Sequence, residues 1–459
     1  MVYFPVVPMK LHLVSLGCPK NQVDAELMLG HLREAGVTLV DRPDQADCLV
    51  VNTCAFIDRA KTESIETVLQ LAQLRAAEPG RRLVVTGCLP QRYGAELLDE
   101  LPEVDAILGT GELHRIVDVV RREDARREWV TGAPPGYVYD ATTPRVRRRA
   151  VPYAYVKIAE GCSMGCSFCA IPGMRGRHRS RPLADVVREV EGLARAGVQE
   201  VVLVSQDTLA YGTDLPGPSR PDFGDLVLAL SETAVPWLRF LYLHPAHVTD
   251  ALIAKVARAR VLPYLDMPIQ HADDGILRAM RRGVTRRRMA WIVDAWRQAI
   301  PGATLRTTVL VGFPGETDSA FEALLEFLEA ARFDKVGVFT YSAEEGTPAA
   351  SLPEPVPAEV AAERARLVEE TGDRIAWPRQ TALDGTIQEV LVDGPSQDPA
   401  FAWEGRTAAQ APEIDGVVYL EAEPPAPGPS AVTLRPGARL PVRIVEVDGY
   451  DLVGTVAVA

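Results

Sequence analysis

The sequence predicts a multidomain α/β protein: an N-terminal open parallel α/β sheet, a central incomplete (β/α)6 barrel and a small C-terminal β-barrel. Three observations lead there. Short β-rich runs alternate with amphipathic helical runs over the first hundred residues. The same alternation resumes after a turn-rich stretch for six further units, and beyond Arg379 the helical period gives way to short strands between Gly, Pro and Asp turns. At 459 residues the chain can hold two to four domains, and its 47% hydrophobic content suits packed cores.

In the first domain, 9–124, the runs LHLVSL, DCLVVN and RRLVVTG read as buried parallel strands. Helical patterns such as VDAELMLGHLREAG and TESIETVLQLAQL follow them. Ligands of such sheets collect beyond the carboxyl ends of the strands. A linker is expected over 125–150, where TGAPPGYVYDATTPRVRRRA is rich in turn formers and the arginines from Arg145 to Arg149 read as a linker surface. The barrel domain, 151–378, takes its strands from YAYVKIA, EVVLVSQD, WLRFLYLH, LPYLDMP, TLRTTVLVGF and KVGVFTYS, with one closing helix and an active site at the carboxyl-end mouth. The last stretch, 379–459, has the short strands of a small β-barrel, interrupted by the Pro-rich turn EAEPPAPGPS.

Cys162, Cys166 and Cys169 stand in C-x3-C-x2-C spacing directly after YAYVKIA. Three thiolates so placed can take three corners of an iron-sulfur cubane and leave the fourth iron open to another ligand. A zinc site or buried structural thiols compete with this reading. Zinc usually closes with four ligands, and the nearby candidate, His178, sits in the arginine-rich RGRHRSRP, a poor setting for a cation.

Cys18, Cys54 and Cys88 follow the ends of the three N-terminal strands, 36 and 34 residues apart. One β/α unit separates each pair, so adjacent parallel strands bring the three thiols to one sheet edge. Gly17 and Gly87 either let the backbone approach a bulky cofactor or simply end the strands. A second open cluster and a set of core cysteines both remain compatible with that geometry. Cys48, at the start of a strand, reads as a buried apolar residue.

Taken together, these segments resemble the methylthiotransferase family of the radical S-adenosylmethionine (SAM) superfamily, with its three-cysteine domain, radical SAM barrel and C-terminal domain of the TRAM type. LGCPKNQVDAE, GCSMGCSFCAIPGMRGRHRSRP, LPYLDMPIQHADDGILRAMRRG and VGFPGET are similar to the branch that modifies an aspartate of the small-subunit ribosomal protein numbered twelve. The tRNA-modifying branch typically has Gln-Met-Asn after its first cysteine, where this chain has Pro19, Lys20 and Asn21. The resemblance implies two [4Fe-4S] clusters, an auxiliary one on Cys18, Cys54 and Cys88 and one on Cys162, Cys166 and Cys169 that binds S-adenosylmethionine. It also implies methylthiolation at the aspartate β-carbon. One SAM methylates a sulfide carried on the auxiliary cluster, and another is cleaved to a 5′-deoxyadenosyl radical that abstracts the substrate hydrogen. An unactivated C–H bond has no useful acid-base route, so a cofactor radical must act on it, with the sulfur donor at the sheet edge facing the barrel mouth.

Among the remaining polar residues, Phe168 precedes the last barrel-loop cysteine, where the superfamily usually has an aromatic beside the adenine; plain packing competes. Ser205, Gln206 and Asp207 end the second barrel strand, and Gln270 with His271 ends the fourth, as binding candidates against turn or cap roles. Arg175, Arg177, Arg179 and Arg181 follow the cysteine loop; one could pair a carboxylate, and Arg181 is preferred. His244 and His247 follow the third strand as mouth or core histidines.

Net charge is −13, which disfavours binding dominated by nucleic-acid phosphates. From Arg379 onward five arginines and no lysine meet twelve acids, 5 − 12 = −7, the wrong sign for gripping RNA and suited to a basic protein. The expected partners are therefore a basic small-subunit ribosomal protein, alone or on the ribosome, and a reductant protein, with no direct nucleic-acid substrate and no membrane. No run approaches the roughly 20 apolar residues of a membrane span, and MVYFPVVPMK lacks a basic leader, which points to the cytoplasm. A tRNA adenosine methylthiotransferase and a non-catalytic iron-sulfur carrier or assembly factor are the alternatives.

Overall fold

A computed structural model describes residues 9–122, 128–130, 135–147, 150–421 and 434–457. Part of the expected linker, including Arg148 and Arg149, and all of EAEPPAPGPS after its first residue lie outside the described residues. Packing divides the chain along lines other than the sequence boundaries. One unit combines Met1–Arg148, Ala159–Arg181 and Ser342–Ala350; the other combines Arg149–Ile158, Pro182–Tyr341 and Ser351–Ala459.

The first unit is built on a parallel sheet of β1 (Lys10–Ser15), β2 (Thr38–Leu39), β3 (Cys48–Thr53), β4 (Arg82–Gly87), β5 (Ala106–Gly109) and β6 (Glu128–Val130), in the order β2-β1-β3-β4-β5-β6. All of β3 is buried, as expected of a Val-rich run covered on both faces. Helices α1 (Pro19–Glu34), α2 (Asp58–Ala77) and α3 (Cys88–Tyr93) start at or soon after the ends of β1, β3 and β4. The short α4 (Ala95–Glu100) and α5 (Ile116–Arg121) flank β5.

The expected linker surface is in part packed. A side chain at Gly30 of α1 would lie 2.1 Å from the Pro144 carbonyl oxygen, so only glycine lets the segment cross there. Beside it the Val146 N–H donates to the Glu26 carbonyl at 2.9 Å, and Arg145 pairs with the Glu26 carboxylate at 2.6 Å. After β7 (Tyr153–Lys157), which belongs to the second unit, the chain returns to the first for the antiparallel pair β8 (Ala159–Glu160) and β9 (Arg179–Ser180). Between them lies α6 (Ile171–Arg175), whose Met174 enters the same core as Cys88 and Leu89.

In the second unit β7 pairs with β10 (Glu200–Val204) and β11 (Trp237–Phe240), and β12 (Tyr264–Asp266) pairs with β13 (Thr304–Val311) and β14 (Lys335–Thr340). All of these pairings are parallel. The two sheets meet where the Leu262 N–H donates to the Leu238 carbonyl at 2.8 Å and the Leu243 N–H to the Asp266 carbonyl at 2.9 Å. This is the incomplete six-stranded barrel expected from the sequence. Its outer helices are α7 (Leu183–Arg195), α8 (Phe223–Ser231), α9 (Asp250–Arg258), α10 (Asp274–Ala279), α11 (Arg286–Ala299), α12 (Asp318–Ala331) and α13 (Ala358–Thr381). Asp222, Thr249, Asp273, Thr285 and Thr317 cap α8 to α12 in turn, each accepting a backbone N–H.

A closed barrel follows, of β15 (Ile387–Pro395), β16 (Trp403–Arg406), β17 (Val418–Leu420), β18 (Arg439–Asp448) and β19 (Asp451–Val456). It is joined to the amino ends of the larger barrel's strands by buried charge. Glu200 at the start of β10 receives Arg239 at 2.6 Å and Arg406 at 2.7 Å, and Arg406 in turn grips Asp393 at 2.6 Å. Burial alone would raise the Glu200 pKa, but Arg406 and Arg239 outweigh it and hold the carboxyl below its ordinary value. Nearby the Tyr155 hydroxyl donates to the Pro412 carbonyl at 2.9 Å and the Tyr264 hydroxyl to Asp415 at 2.7 Å.

Removing one partner of such a network strands the others in a dry interior. Arg406→Ala is expected to lower unfolding stability by about 3 kcal/mol. Urea denaturation of the full chain checks this, and a loss below about 1 kcal/mol, the level of a surface pair, would contradict it.

Candidate functional site

The three N-terminal cysteines converge because β1, β3 and β4 run parallel and side by side. Gly17 has φ +87°, and a Cβ there would stand 2.7 Å from the Cys54 Cβ and 3.2 Å from its Sγ. Gly87 has φ +100°, and its Cβ would meet the Thr53 carbonyl at 2.6 Å. Both glycines thus let neighbouring strand ends cross closely enough to gather the sulfurs. Asn21, fully buried on α1, ties the ends together: its amide donates to the Leu16 and Thr53 carbonyls at 3.0 and 2.9 Å, and its carbonyl oxygen lies 3.9 Å from the Cys88 sulfur.

Burial pushes the Cys54 thiol up to about 12, with Cys88 and Cys18 adding to the effect. It raises Cys88 as well, against the pull of Arg175. For Cys18 the raising effect of burial is overcome by Lys20 and Arg175, and the net shift is downward. Three crowded thiols of this kind ionise together only when a metal compensates the charge, so the donor set fits an iron-sulfur group. Cys48 is wholly buried at the start of β3, as expected, with its thiol pushed up to about 12 by burial.

The second cysteine set occupies the loop between β8 and α6. Gly161 has φ +81°, and a Cβ there would fall 2.2 Å from the Arg177 carbonyl oxygen, so the loop closes on itself. The Cys162 N–H donates to the Gly176 carbonyl at 3.0 Å and the Cys169 N–H to the Cys166 carbonyl at 3.2 Å. All three cysteines, and Phe168 between them, are half-buried. His178 turns its Nε2 to the Ser180 hydroxyl at 3.1 Å. Among the described residues no three His, Cys, Asp or Glu gather around a single-ion position. A cubane, by contrast, takes each thiolate on a different iron.

One side chain reaches from this loop region to the other cysteine set. Arg175, at the end of α6, is 3% exposed and pairs through Nη1 with Asp24 at 2.6 Å and Glu160 at 3.4 Å. Its Nη2 donates to the Asn21 side-chain oxygen and meets the Cys88 sulfur at 3.5 Å. Arg181 is also buried, with its guanidinium carbon 4.1 Å over the Tyr139 ring.

At the carboxyl ends of the second unit's barrel strands, Ser205 is wholly buried and accepts the Asp207 N–H at 3.1 Å, a turn role. Asp207 accepts from His247 Nε2 at 2.9 Å, and Gln206 between them is half-buried. Gln270, at φ +71°, continues the ladder beside β13: its N–H donates to the Thr308 carbonyl at 3.0 Å and its carbonyl accepts the Leu310 N–H at 2.7 Å. His271 Nε2 lies 3.2 Å from Glu316, which Arg364 holds at 3.1 Å.

Family profiles match three stretches: Uncharacterized protein family UPF0004 over residues 10–109, the Radical SAM superfamily over 156–328 and the TRAM domain over 385–457. The ribosomal protein uS12 methylthiotransferase RimO of Sorangium cellulosum is 47% identical over 97% of this chain and 90% of that protein. RimO of Myxococcus xanthus is 44% identical over 98% and 92%. The chain belongs to the RimO family.

Among solved structures, the radical S-adenosylmethionine methyltransferase TsrM from Kitasatospora setae has a TM-score of 0.53 at 17% identity, covering 72% of each chain, a likeness of fold. As a RimO-family member the chain is an enzyme of the radical SAM methylthiotransferase kind, and the six cysteines named from spacing fall into two groups of three, both in the first unit. Residues that spacing did not single out in this RimO-family chain are Asp24, Glu160, Glu316 and Arg364. Asn21 and Arg175 stood in view only as a branch marker and one of four arginines. Their signal is the burial of polar and charged groups, which a sequence does not display.

The His247 pair has a pH signature. Its hydrogen bond to Asp207 raises the His247 pKa above the ordinary value, against burial, which lowers it. With the folded pKa above the unfolded one, the pair stabilises the fold fully below about pH 6.5 and loses this contribution as pH rises through the raised value. His244 is pushed down to about 3 mainly by burial, with His247 only the last of its causes, so it stays neutral across this range in both proteins. We expect His247→Gln to melt below the parent at about pH 5.5, by no more than about 1 kcal/mol, and to match it at about pH 9. Thermal melts at both values check this; an equal gap at both would contradict it.

Proposed function

We propose that this protein is a methylthiotransferase that acts on the β-carbon of an aspartate in ribosomal protein uS12, using S-adenosylmethionine and two [4Fe-4S] clusters. The observation that carries the reading is the gathering of two three-cysteine sets into one packed unit, in a chain 47% identical to a protein named for that reaction. Cys162, Cys166 and Cys169 would hold the cluster that binds S-adenosylmethionine, and Cys18, Cys54 and Cys88 the auxiliary one. When bound, these groups supply the one-electron and sulfur chemistry that an unactivated C–H bond requires.

The protein's own residues hold and shield. Asn21 and Gly17 keep the N-terminal sulfurs together, and the loop around Phe168 holds the second set half-buried. We assign Phe168, Ser205, Gln206, Asp207, Gln270 and Arg181 to binding of S-adenosylmethionine or the target aspartate. In sequence terms the proposed domains are 9–124 for the auxiliary cluster, a linker over 125–150, 151–378 for radical chemistry and 379–459 for docking the basic substrate. Among the described residues no helix is long and apolar enough to cross a membrane. A cytoplasmic setting, with a reductant protein as electron source, completes the proposal.

Mass spectrometry of uS12 from cells with and without the gene tests the assignment: a methylthio group lost with the gene is expected, and an unmodified aspartate in both defeats it. Loss of a methylthio nucleoside from tRNA instead would favour the tRNA-modifying alternative. In anaerobically reconstituted protein, Cys162→Ala is expected to abolish 5′-deoxyadenosine formation from S-adenosylmethionine. Cys54→Ala should retain that product and lose sulfur insertion, and full insertion by Cys54→Ala would remove the N-terminal site from the reaction.

A further inference from the structure

We propose that Arg175 is a positioning residue for the N-terminal cysteine site, a buried fixed cation whose N–H bond to Cys88 raises the reduction potential of the iron-sulfur group held there. This inference rests on the two-cluster reading above.

A guanidinium buried to 3% exposure must have its charge and its five N–H groups answered. Asp24 and Glu160, at 2.6 and 3.4 Å from Nη1, answer the charge. An ion pair alone would be complete with them. The Nη2 arm instead meets the Asn21 side-chain oxygen and the Cys88 sulfur, the latter at 3.5 Å.

Asn21 is held by the Leu16 and Thr53 carbonyls, so it fixes that arm relative to the strand ends that carry Cys18 and Cys54. Met174, next to Arg175, is anchored through its carbonyl by the Thr110 hydroxyl at 2.7 Å and by packing in the core that includes Cys88. The guanidinium therefore has little freedom to turn away from the sulfur.

A thiolate-ligated cluster gains negative charge on reduction. A fixed N–H donor on a ligand sulfur, carried by a permanent cation in a dry surround, favours the reduced form. The residue that supplies it lies six positions after Cys169, so the segment that carries one cysteine set also sets the electrostatics of the other.

The test uses the full-length chain with Cys162, Cys166 and Cys169 replaced by alanine, which leaves one proposed cluster, reconstituted anaerobically and titrated redox-wise with electron paramagnetic resonance as the readout. At the parent's midpoint, Arg175→Gln is expected to show about a tenfold lower ratio of reduced to oxidised cluster, equivalent to about 59 mV for a one-electron couple. Arg175→Lys, which keeps the charge, should recover part of that shift.

An unchanged midpoint and signal in Arg175→Gln would overturn the proposal, as would a lysine variant shifted as far as the glutamine one. Should Arg175→Gln hold no iron, recovery of iron by Arg175→Lys supports the charge role and failure to recover it overturns it. A parent that binds no iron defeats the two-cluster reading itself, and this inference with it.

Discussion

Parallel strands all point one way, and so all their outgoing turns emerge at one edge; the N-terminal site depends on that constraint. With β1, β3 and β4 adjacent, a cysteine placed just after each strand comes to a common edge without any long loop. The remaining problem is steric. Gly17 and Gly87 solve it by adopting backbone angles that L side chains rarely accept, and Asn21 then cross-ties the strand ends from the buried face of α1. Burial of the gathered sulfurs raises the pKa of Cys54 and Cys88, so giving up their protons is part of loading a metal group.

Much of this was legible in the sequence because it is periodic. Spacings of 36 and 34 residues are one β/α unit, and the C-x3-C-x2-C run is local. Six barrel strands and the five-stranded closing barrel follow from the same kind of pattern. What stayed hidden depends on contacts between distant segments. Arg175 finds Asp24 across 151 positions, and Glu344, from a segment after the last barrel strand, pairs in the first unit with Lys61 at 3.0 Å and Arg92 at 2.6 Å. Arg145, expected at the surface, is drawn onto Glu26 by the close approach that Gly30 allows.

The acidic excess of the closing barrel also changes meaning once it is placed. Asp393 is bound to Arg406, Asp415 to Tyr264, and Glu413 approaches the Tyr155 hydroxyl at 3.4 Å. Three of the twelve acids counted there therefore answer groups inside the second unit. Asp415 also faces two cations that the count leaves out, Arg306 at 3.6 Å and Lys335 at 3.5 Å, and there the larger barrel offsets part of the acidic excess.

The rooting of the closing barrel in the amino ends of the larger one has an evolutionary consequence. Glu200, Arg306 and Lys335 belong to the larger barrel, yet their counter-ions include Arg406 and Asp415 of the smaller. Descent with domain shuffling is easy where modules meet through solvent. Here a transplanted module would arrive without matching charges and leave the host's stranded, so the two halves of this seam must be inherited together.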